Sequence, residues 1–358
     1  MNIVEYSASQ LASLLPIPSA STNKYQRGKL VVVGGSAAYP GAACLAAAAG
    51  QRMGAGYVQV YCAPQSLDVV RASRPSVVAA SWDVKQELLA AGRPDDVTLA
   101  LSGNPEALFF LNAGPEHPQA CVLGPGVDAG CKEDRERSVR VVRSVPLEVP
   151  LLVDGGALSA ITDRGAAAFL RSRMMQGGAT VLTPHGGEAA RLARAVGIEP
   201  VDRNASDYEL AAFAQELANA FGATVLLKGP NTYLAVAAAA QPTAENPLVM
   251  ILREGTPALA KAGTGDVLAG MVGALLAQGL RAADAAALGS ALHAQAGVQA
   301  AYTLTTICAT PEDVIECIPA AVVQALSTLK DGAGEGRGSL REQISYEALE
   351  DPSFGMLE

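Results

Sequence analysis

Apolar runs of strand length alternate with small-residue stretches at helical spacing along most of this chain. KLVVVGG (29–35) is continuously apolar and ends in glycines, the pattern of a strand buried on both faces. PGAACLAAAAGQRMG (40–54) follows as an alanine-rich helix, with Pro40 accommodated in its first turn and Gly54 near its end. YVQVYC (57–62) predicts a second strand, VTLAL (97–101) another, and QACVLGPG (119–126) a strand running into a Gly-Pro-Gly turn. SVRVVRSV (138–145) reads as helix and PLLVDGGAL (150–158) as strand and loop. ATVLTPHGGEAARLARAVG (179–197) gives strand, loop and helix, and ELAAFAQELANAFG (209–222) an amphipathic helix. ATVLLKG (223–229) is a strand, with TYLAVA (232–237) as its hairpin partner. A helix opening at Asp266 carries Val267, Leu268, Met271, Val272, Leu275 and Leu276 on one expected buried stripe and stops at Gly279. A further helix over 285–301 closes the series.

This alternation predicts an α/β fold: a mostly parallel central sheet with helices on both faces. A length of 358 residues suggests two domains at roughly 150 residues each. No Pro/Ser-rich linker and no internal repeat divides the chain, however, so residues 1–329 are expected to form a single domain. Residues 330–358 are polar and glycine-rich, a flexible tail or a short arm on a neighbouring subunit, with composition favouring the tail.

The formal net charge is −9 and aromatic residues make up 4% of the chain. There is no basic stripe and there are few rings to stack bases, which argues against nucleic acid. The acidic balance offers no attraction to anionic lipid. The six cysteines form no C-x-x-C pair and the three histidines are scattered, so buried reduced thiols are expected rather than a zinc site. The N-terminus lacks a signal-peptide pattern, and no apolar run approaches the ~18 residues that span a bilayer. These features together predict a soluble, cytoplasmic protein.

In an open α/β sheet, ligands sit outside the carboxyl ends of the strands. There the sequence places Gly34-Gly35-Ser36, Gly124-Pro125-Gly126, Asp154-Gly155-Gly156, Thr183-Pro184-His185-Gly186-Gly187-Glu188 and Lys228-Gly229. Each alone is ordinary turn chemistry; their shared placement marks a site. Neither a P-loop motif nor a G-x-G-x-x-G after the first strand occurs, so a phosphate grip must lie elsewhere. Gly263-Thr264-Gly265, running into Asp266 at a helix start, is the best candidate, because bare amides there attract anions. Asp266 then either charges the first helical turn or serves as a general base beside an anion hole. Lys228 is either a solvated lysine or a partner for phosphate, and His185 either a surface group or a ligand contact. Glu188 is favoured at a helix start in any case, and His117 and His293 show no context that gives them a role.

Taken in order, these residues carry a resemblance. KYQRGKLVVVGGSAAYPGAA (24–43), LTPHGGEAARL (182–192), LLKGPNTYLA (226–235) and LAKAGTGDVLAGM (259–271), with GPG (124–126), DGGAL (154–158) and ALHAQAG (291–297) between or after them, resemble the ADP-dependent NAD(P)H-hydrate dehydratases. The resemblance runs collinearly over roughly residues 24–320 and implies a ribokinase-like fold. It implies a repair reaction in which hydrated NADH or NADPH (NADHX, NADPHX) is phosphorylated on its C6 hydroxyl and then loses phosphate. ADP (or ATP) would be the co-substrate, with Mg²⁺ bound mainly through its phosphates. Carried over by position, Asp266 contacts the reacting hydroxyl and acts as base. Lys228, Gly229, Pro230, Asn231 and Thr232, together with Gly263, Thr264 and Gly265, bind the nucleotide; Ala42, Gly126 and His185 line the hydrated-cofactor pocket. The resemblance also implies a homo-oligomer such as a tetramer. With no epimerase-like segment ahead of Lys24, it implies a stand-alone dehydratase working beside a separate epimerase.

Three positions depart from the family pattern. Gly186 replaces a proline after His185, which is expected to loosen that loop; Ala262 replaces a glycine, and Thr256 an asparagine. Two other readings stand beside the dehydratase: a ribokinase-like kinase for a vitamin precursor such as a hydroxymethylpyrimidine or thiazole alcohol, and a non-catalytic nucleotide sensor. The pyrimidine kinases read T-P-N where this chain has Thr183-Pro184-His185, which favours the dehydratase.

Overall fold

The structure is a computed structural model that describes residues 2–83, 105–110, 119–240 and 248–332. Ten strands are described: β1 (Asn2–Glu5), β2 (Lys29–Val33), β3 (Tyr57–Cys62), β4 (Val78–Ser81), β5 (Gln119–Leu123), β6 (Leu151–Val153), β7 (Thr180–Leu182), β8 (Thr224–Leu227), β9 (Thr232–Val236) and β10 (Leu248–Leu252). They form one sheet in the order β1-β10-β9-β8-β7-β6-β5-β2-β3-β4. Every pairing is parallel except those of β9, which runs antiparallel to both β8 and β10. The expected β8–β9 hairpin is present, with Leu226 opposite Leu234. The chain therefore has the mostly parallel α/β architecture expected of its sequence.

The helices are α1 (Pro40–Arg52), α2 (Leu67–Ser73), α3 (Lys132–Ser144), α4 (Arg164–Met175), α5 (Gly186–Val196), α6 (Asp207–Phe221), α7 (Thr264–Ala277), α8 (Ala282–Cys308) and α9 (Pro311–Gly332). They cover both faces. Leu30 and Val32 of β2 join a core with α1, α2, α7, α8 and α9. Val31 and Val33 join a second core with α3 to α6. That two-sided burial is why the central strands read as unbroken apolar runs rather than as alternating ones.

Several boundaries differ from the sequence pattern, each for a physical reason. The helix expected over 138–145 starts at Lys132, because KEDRER carries no apolar stripe to announce its first turns. The last expected helix, 285–301, extends over 282–308, and a further helix over 311–332, opened by Pro311, was not marked by the pattern. That helix also runs three residues past the expected domain boundary at 329, and the rest of the 330–358 tail lies outside the described residues, as does the strand expected at 97–101. Strands β1, β4 and β10 and helix α4 were not marked by the pattern. Helix α7 corrects the single-stripe expectation: every residue from Val267 to Ala277 is buried. It is wedged between the sheet and α1 so tightly that a Cβ on Gly270 would lie 2.1 Å from the Ala46 carbonyl oxygen, and one on Gly273 2.2 Å from Val122 Cγ2. The alanine-rich character of α1 reflects this approach of two backbones.

All six cysteines are free thiols. No helix among the described residues is long and apolar enough to cross a membrane.

The turn from β7 into α5 is held firmly despite its two glycines. His185 Nδ1 accepts the Gly187 N–H at 3.0 Å, and Glu188 Oε2 accepts the His185 N–H at 2.8 Å. This reciprocal cap anchors the loop that the glycine at 186 was expected to loosen. Gly186 is the first helical residue, a Cβ there would meet nothing within 4 Å, and His185 already has the extended backbone (φ −81°, ψ 169°) that precedes proline comfortably. Gly186→Pro is therefore expected to stabilise the protein by about 0.4–1 kcal/mol, read as a raised midpoint of thermal unfolding. An unchanged or lowered midpoint would show that this turn adopts another conformation.

Candidate active site

The site grows from the first turn of α7. Gly263 adopts a left-handed backbone (φ 98°), and a Cβ there would sit 2.7 Å from Leu45 Cδ1, so both conformation and space call for glycine. Thr264 Oγ1 donates to the carbonyl oxygens of Leu259 (2.7 Å) or Lys261 (2.9 Å), which fixes the turn. The Thr264 N–H reaches Lys261 O at 3.4 Å, while those of Gly265 and Asp266 find no backbone acceptor. Two amides and the positive end of a helix dipole thus face outward from the sheet edge.

Opposite this turn stands Lys228, delivered by the end of β8. Its backbone extends the sheet by one bridge to His185, and its N–H donates to Pro184 O at 2.9 Å. Its ammonium donates to Asp154 Oδ1 at 2.7 Å, and Thr183 Oγ1 donates to the same oxygen at 2.7 Å. Asp154 follows β6 directly, so three neighbouring strand ends assemble the cluster. A Cβ on Gly265 would lie 3.4 Å from Lys228 Nζ and 3.9 Å from Asp154 Oδ2; glycine lets the helix approach the ion pair this closely.

The electrostatics follow from one cation among several acids. Burial lifts the Asp266 carboxyl to about 7; the Asp154 and Glu188 charges add to the rise and Lys228 opposes it. Glu188 is also raised, chiefly by burial, with Lys228 acting against the shift. Burial would lower Lys228, but Asp154, Glu188 and Asp266 outweigh it and hold the ammonium above its ordinary value. A carboxyl that ionises near neutrality beside free amides and an ammonium is suited to taking a proton while negative charge develops next to it.

A cleft of about 780 Å³ opens beside this cluster, walled by Lys228, Gly229, Pro230 and Thr232 on one side and by Arg253–Pro257, Thr264 and Gly265 on the other. Its size lies within the range of small-molecule and cofactor sites. His293 of α8 lines it as well. Burial first, and the Lys228 charge second, push this imidazole down to about 4, so it is neutral at physiological pH.

Most of the expected site residues converge here. Thr264, Gly265, Lys228, Gly229, Pro230 and Thr232 line the cleft, Gly263 and Asp266 flank them at the start of α7 with the Asp266 charge acting on Lys228, and His185 lies at the rim with an exposed side chain. Asn231 departs from the group: it lines a second cavity and its amide donates to Asp207 Oδ1 at 3.3 Å. Ala42 and Gly126 meet each other elsewhere along the strand ends, with the place of a Gly126 Cβ 3.2 Å from Ala42 Cβ and 2.2 Å from Tyr39 O. The Gly124–Gly126 turn in turn touches Asp154, since a Cβ on Gly124 would lie 1.8 Å from Asp154 O. Sequence reasoning named Asp154, Glu188 and His293 but assigned none of them a role in the site. For Asp154 a signal existed: an acid placed immediately after the buried run LLV at a strand's carboxyl end.

Residues 30–320 match the family model for NAD(P)H-hydrate dehydratase. The chain is 33% identical over 300 residues to the bifunctional NAD(P)H-hydrate repair enzyme Nnr of Mycobacterium leprae, covering 84% of this chain but 51% of that protein. It thus spans about half the length of several curated relatives that it matches. It is 31% identical to the ADP-dependent (S)-NAD(P)H-hydrate dehydratase of Xanthomonas campestris, covering 82% of this chain and 87% of that one. Among solved structures, the ADP/ATP-dependent NAD(P)H-hydrate dehydratase of Bacillus subtilis superposes with a TM-score of 0.68 at 22% identity, over 91% of this chain and 99% of that one. A ribokinase-like superfamily protein of Enterococcus faecalis gives 0.67 at 20% identity, over 90% and 96%. From the matched family model and these relatives, the chain belongs to the NAD(P)H-hydrate dehydratase family.

Proposed function

We propose that this protein converts hydrated NADH or NADPH back to the reduced cofactor, using ADP or ATP to phosphorylate the C6 hydroxyl and then releasing phosphate. The observation that supports this most is the position of Asp266: a carboxyl raised to about 7 at a helix start whose amides are free, with Lys228 facing it. Asp266 accepts the hydroxyl proton as the oxygen attacks the terminal phosphorus. The amides of Gly265 and Asp266 and the Lys228 ammonium offset the charge that builds on the transferred group. Phosphate is a far better leaving group than hydroxide, and the ring nitrogen's electron pair assists its departure. Loss of a ring proton then restores the double bond. Per turnover one water leaves the hydrated cofactor and one phosphoanhydride is hydrolysed.

The nucleotide fits the cleft of about 780 Å³, with its terminal phosphate toward Gly263, Thr264, Gly265 and Lys228. Mg²⁺ prefers hard oxygen ligands in octahedral geometry. Asp154 is committed to Lys228, and no cluster of three or more metal-binding side chains exists among the described residues. The ion therefore fits here as one carried by the nucleotide phosphates, whose charge it would neutralise. Ala42, Gly126 and His185 are read as the contacts of the hydrated nicotinamide.

Incubating the protein with hydrated NADH, Mg²⁺ and either ADP or ATP is expected to restore the absorbance of reduced nicotinamide. No recovery with either nucleotide, together with phosphorylation of a hydroxymethylpyrimidine or thiazole alcohol, would contradict the proposal. Asp266→Asn is expected to keep nucleotide affinity and to lose roughly 10²–10⁴-fold in turnover, measured by calorimetry and by the same assay. Because the base must be ionised, kcat/KM should rise with pH through about 7. Asp154→Asn removes a negative neighbour that raises Asp266, so the acid limb should move to lower pH. A limb that stays in place would disconnect Asp266 from that charge cluster.

A further inference from the structure

A second cavity, of about 450 Å³, lies across the Lys228–Pro230 segment from the nucleotide cleft. The two share His185, Lys228, Gly229 and Pro230 as a common wall. They open on opposite faces of the sheet: Leu252 and Leu268 of the first cleft belong to the core with α7 and α8, whereas Phe213, Leu227 and Tyr233 of the second belong to the core with α6. The second cavity has an apolar floor with two aromatic rings and a polar mouth. Of the cations at its wall, Lys228 is bound to Asp154, while Arg203 is exposed and pairs with no carboxylate among the described residues. The acid that lines the cavity, Asp207, is already engaged by Tyr233 Oη, Asn231 Nδ2 and Arg253 Nη2.

The strand order adds direction. Neighbouring strand ends carry, in sequence across the sheet, the Lys228 (β8), His185 (β7), Asp154 (β6) and Gly126 (β5) turns, with Ala42 beyond. Three strand spacings at ~4.8 Å separate β5 from β8 by about 14 Å. A hydrated dinucleotide is two nucleosides joined by pyrophosphate, long enough to follow that edge. If its nicotinamide lies toward Gly126 and Ala42 and the co-substrate fills the α7 side, its other half reaches past His185 to the second cavity.

We propose that this second cavity receives the adenosine half of the hydrated dinucleotide and that Arg203 pairs with its 2′-phosphate, favouring hydrated NADPH over hydrated NADH. This rests on the activity proposed above. An apolar floor suits a purine ring, and a guanidinium at the mouth matches a phosphate monoester in charge and fork geometry. Arg203 is then a specificity residue: it touches substrate but takes no part in the chemistry.

NADP⁺ and NAD⁺, which lack the reacting hydroxyl, serve as probes in calorimetric titrations with the full chain. Wild type is expected to bind NADP⁺ about ten-fold more tightly than NAD⁺, as one charged hydrogen-bonded contact allows. Arg203→Ala should bring NADP⁺ to the NAD⁺ level while leaving NAD⁺ and ADP binding unchanged. Ala205 also lines the cavity, so Ala205→Trp, which fills it, should weaken both dinucleotides and spare ADP; retained ADP affinity shows that this variant is folded. Unchanged dinucleotide binding in both variants overturns the subsite. Turnover of both hydrated cofactors at a ratio that Arg203→Ala does not alter also overturns it, and leaves the dehydratase reading intact. Arg203-dependent NADP⁺ binding without turnover of either hydrated cofactor supports the subsite and removes the activity instead.

Discussion

One largely buried ammonium, that of Lys228, faces three carboxyl groups at the carboxyl edge of the sheet, and the rest of the site depends on that imbalance. Isolated buried charge is costly, so the lysine takes one acid as a close partner and the others must adjust. Asp154 is that partner at 2.7 Å, with Thr183 satisfying the same oxygen. Asp266 and Glu188 are left with less compensation and hold their protons more tightly. A carboxyl poised near neutrality is therefore a product of charge counting and burial, not of any special feature of Asp266 itself.

The local geometry serves the same cluster. Gly265 lacks a side chain where one would press on the ion pair, and Gly263 turns the chain into α7 through a left-handed conformation. Tight packing of α7 against α1 and β5 fixes the helix start to the strand ends, so amides and ammonium keep their relative positions without a mobile loop between them. The parallel strand order does the remaining work, because it brings Asp154, His185 and Lys228 side by side from distant points in the chain.

Much of this was legible in the sequence. The two-sided sheet showed itself in unbroken apolar runs such as LVVV and CVL, and the glycine turns pointed to the end of the sheet where the Lys228 charge cluster gathers. Other features were not legible, for physical reasons. Helix α7 carries apolar residues at helical spacing, but its small residues conceal burial on every side, since glycine and alanine mark close packing only once the neighbour is known. Strand β1 is a short edge strand whose partner, β10, lies far along the chain. The roles of Asp154 and Glu188 exist only through Lys228, whose separation of 74 residues from Asp154 no local pattern bridges. Asn231 was grouped with its neighbours through the resemblance, whereas the bend between β8 and β9 places its amide on Asp207. Gly186 read as a point of slack, yet the His185–Glu188 cap anchors it.

Asp266 is ionised only near neutrality because of where the fold buries it. A ¹³C NMR titration of the aspartate side-chain carboxyls, with Asp266→Asn supplying the assignment, measures this directly. One resonance, lost in the variant, is expected to titrate at about 7. A resonance that titrates near the ordinary aspartate value of 3.8 would contradict it.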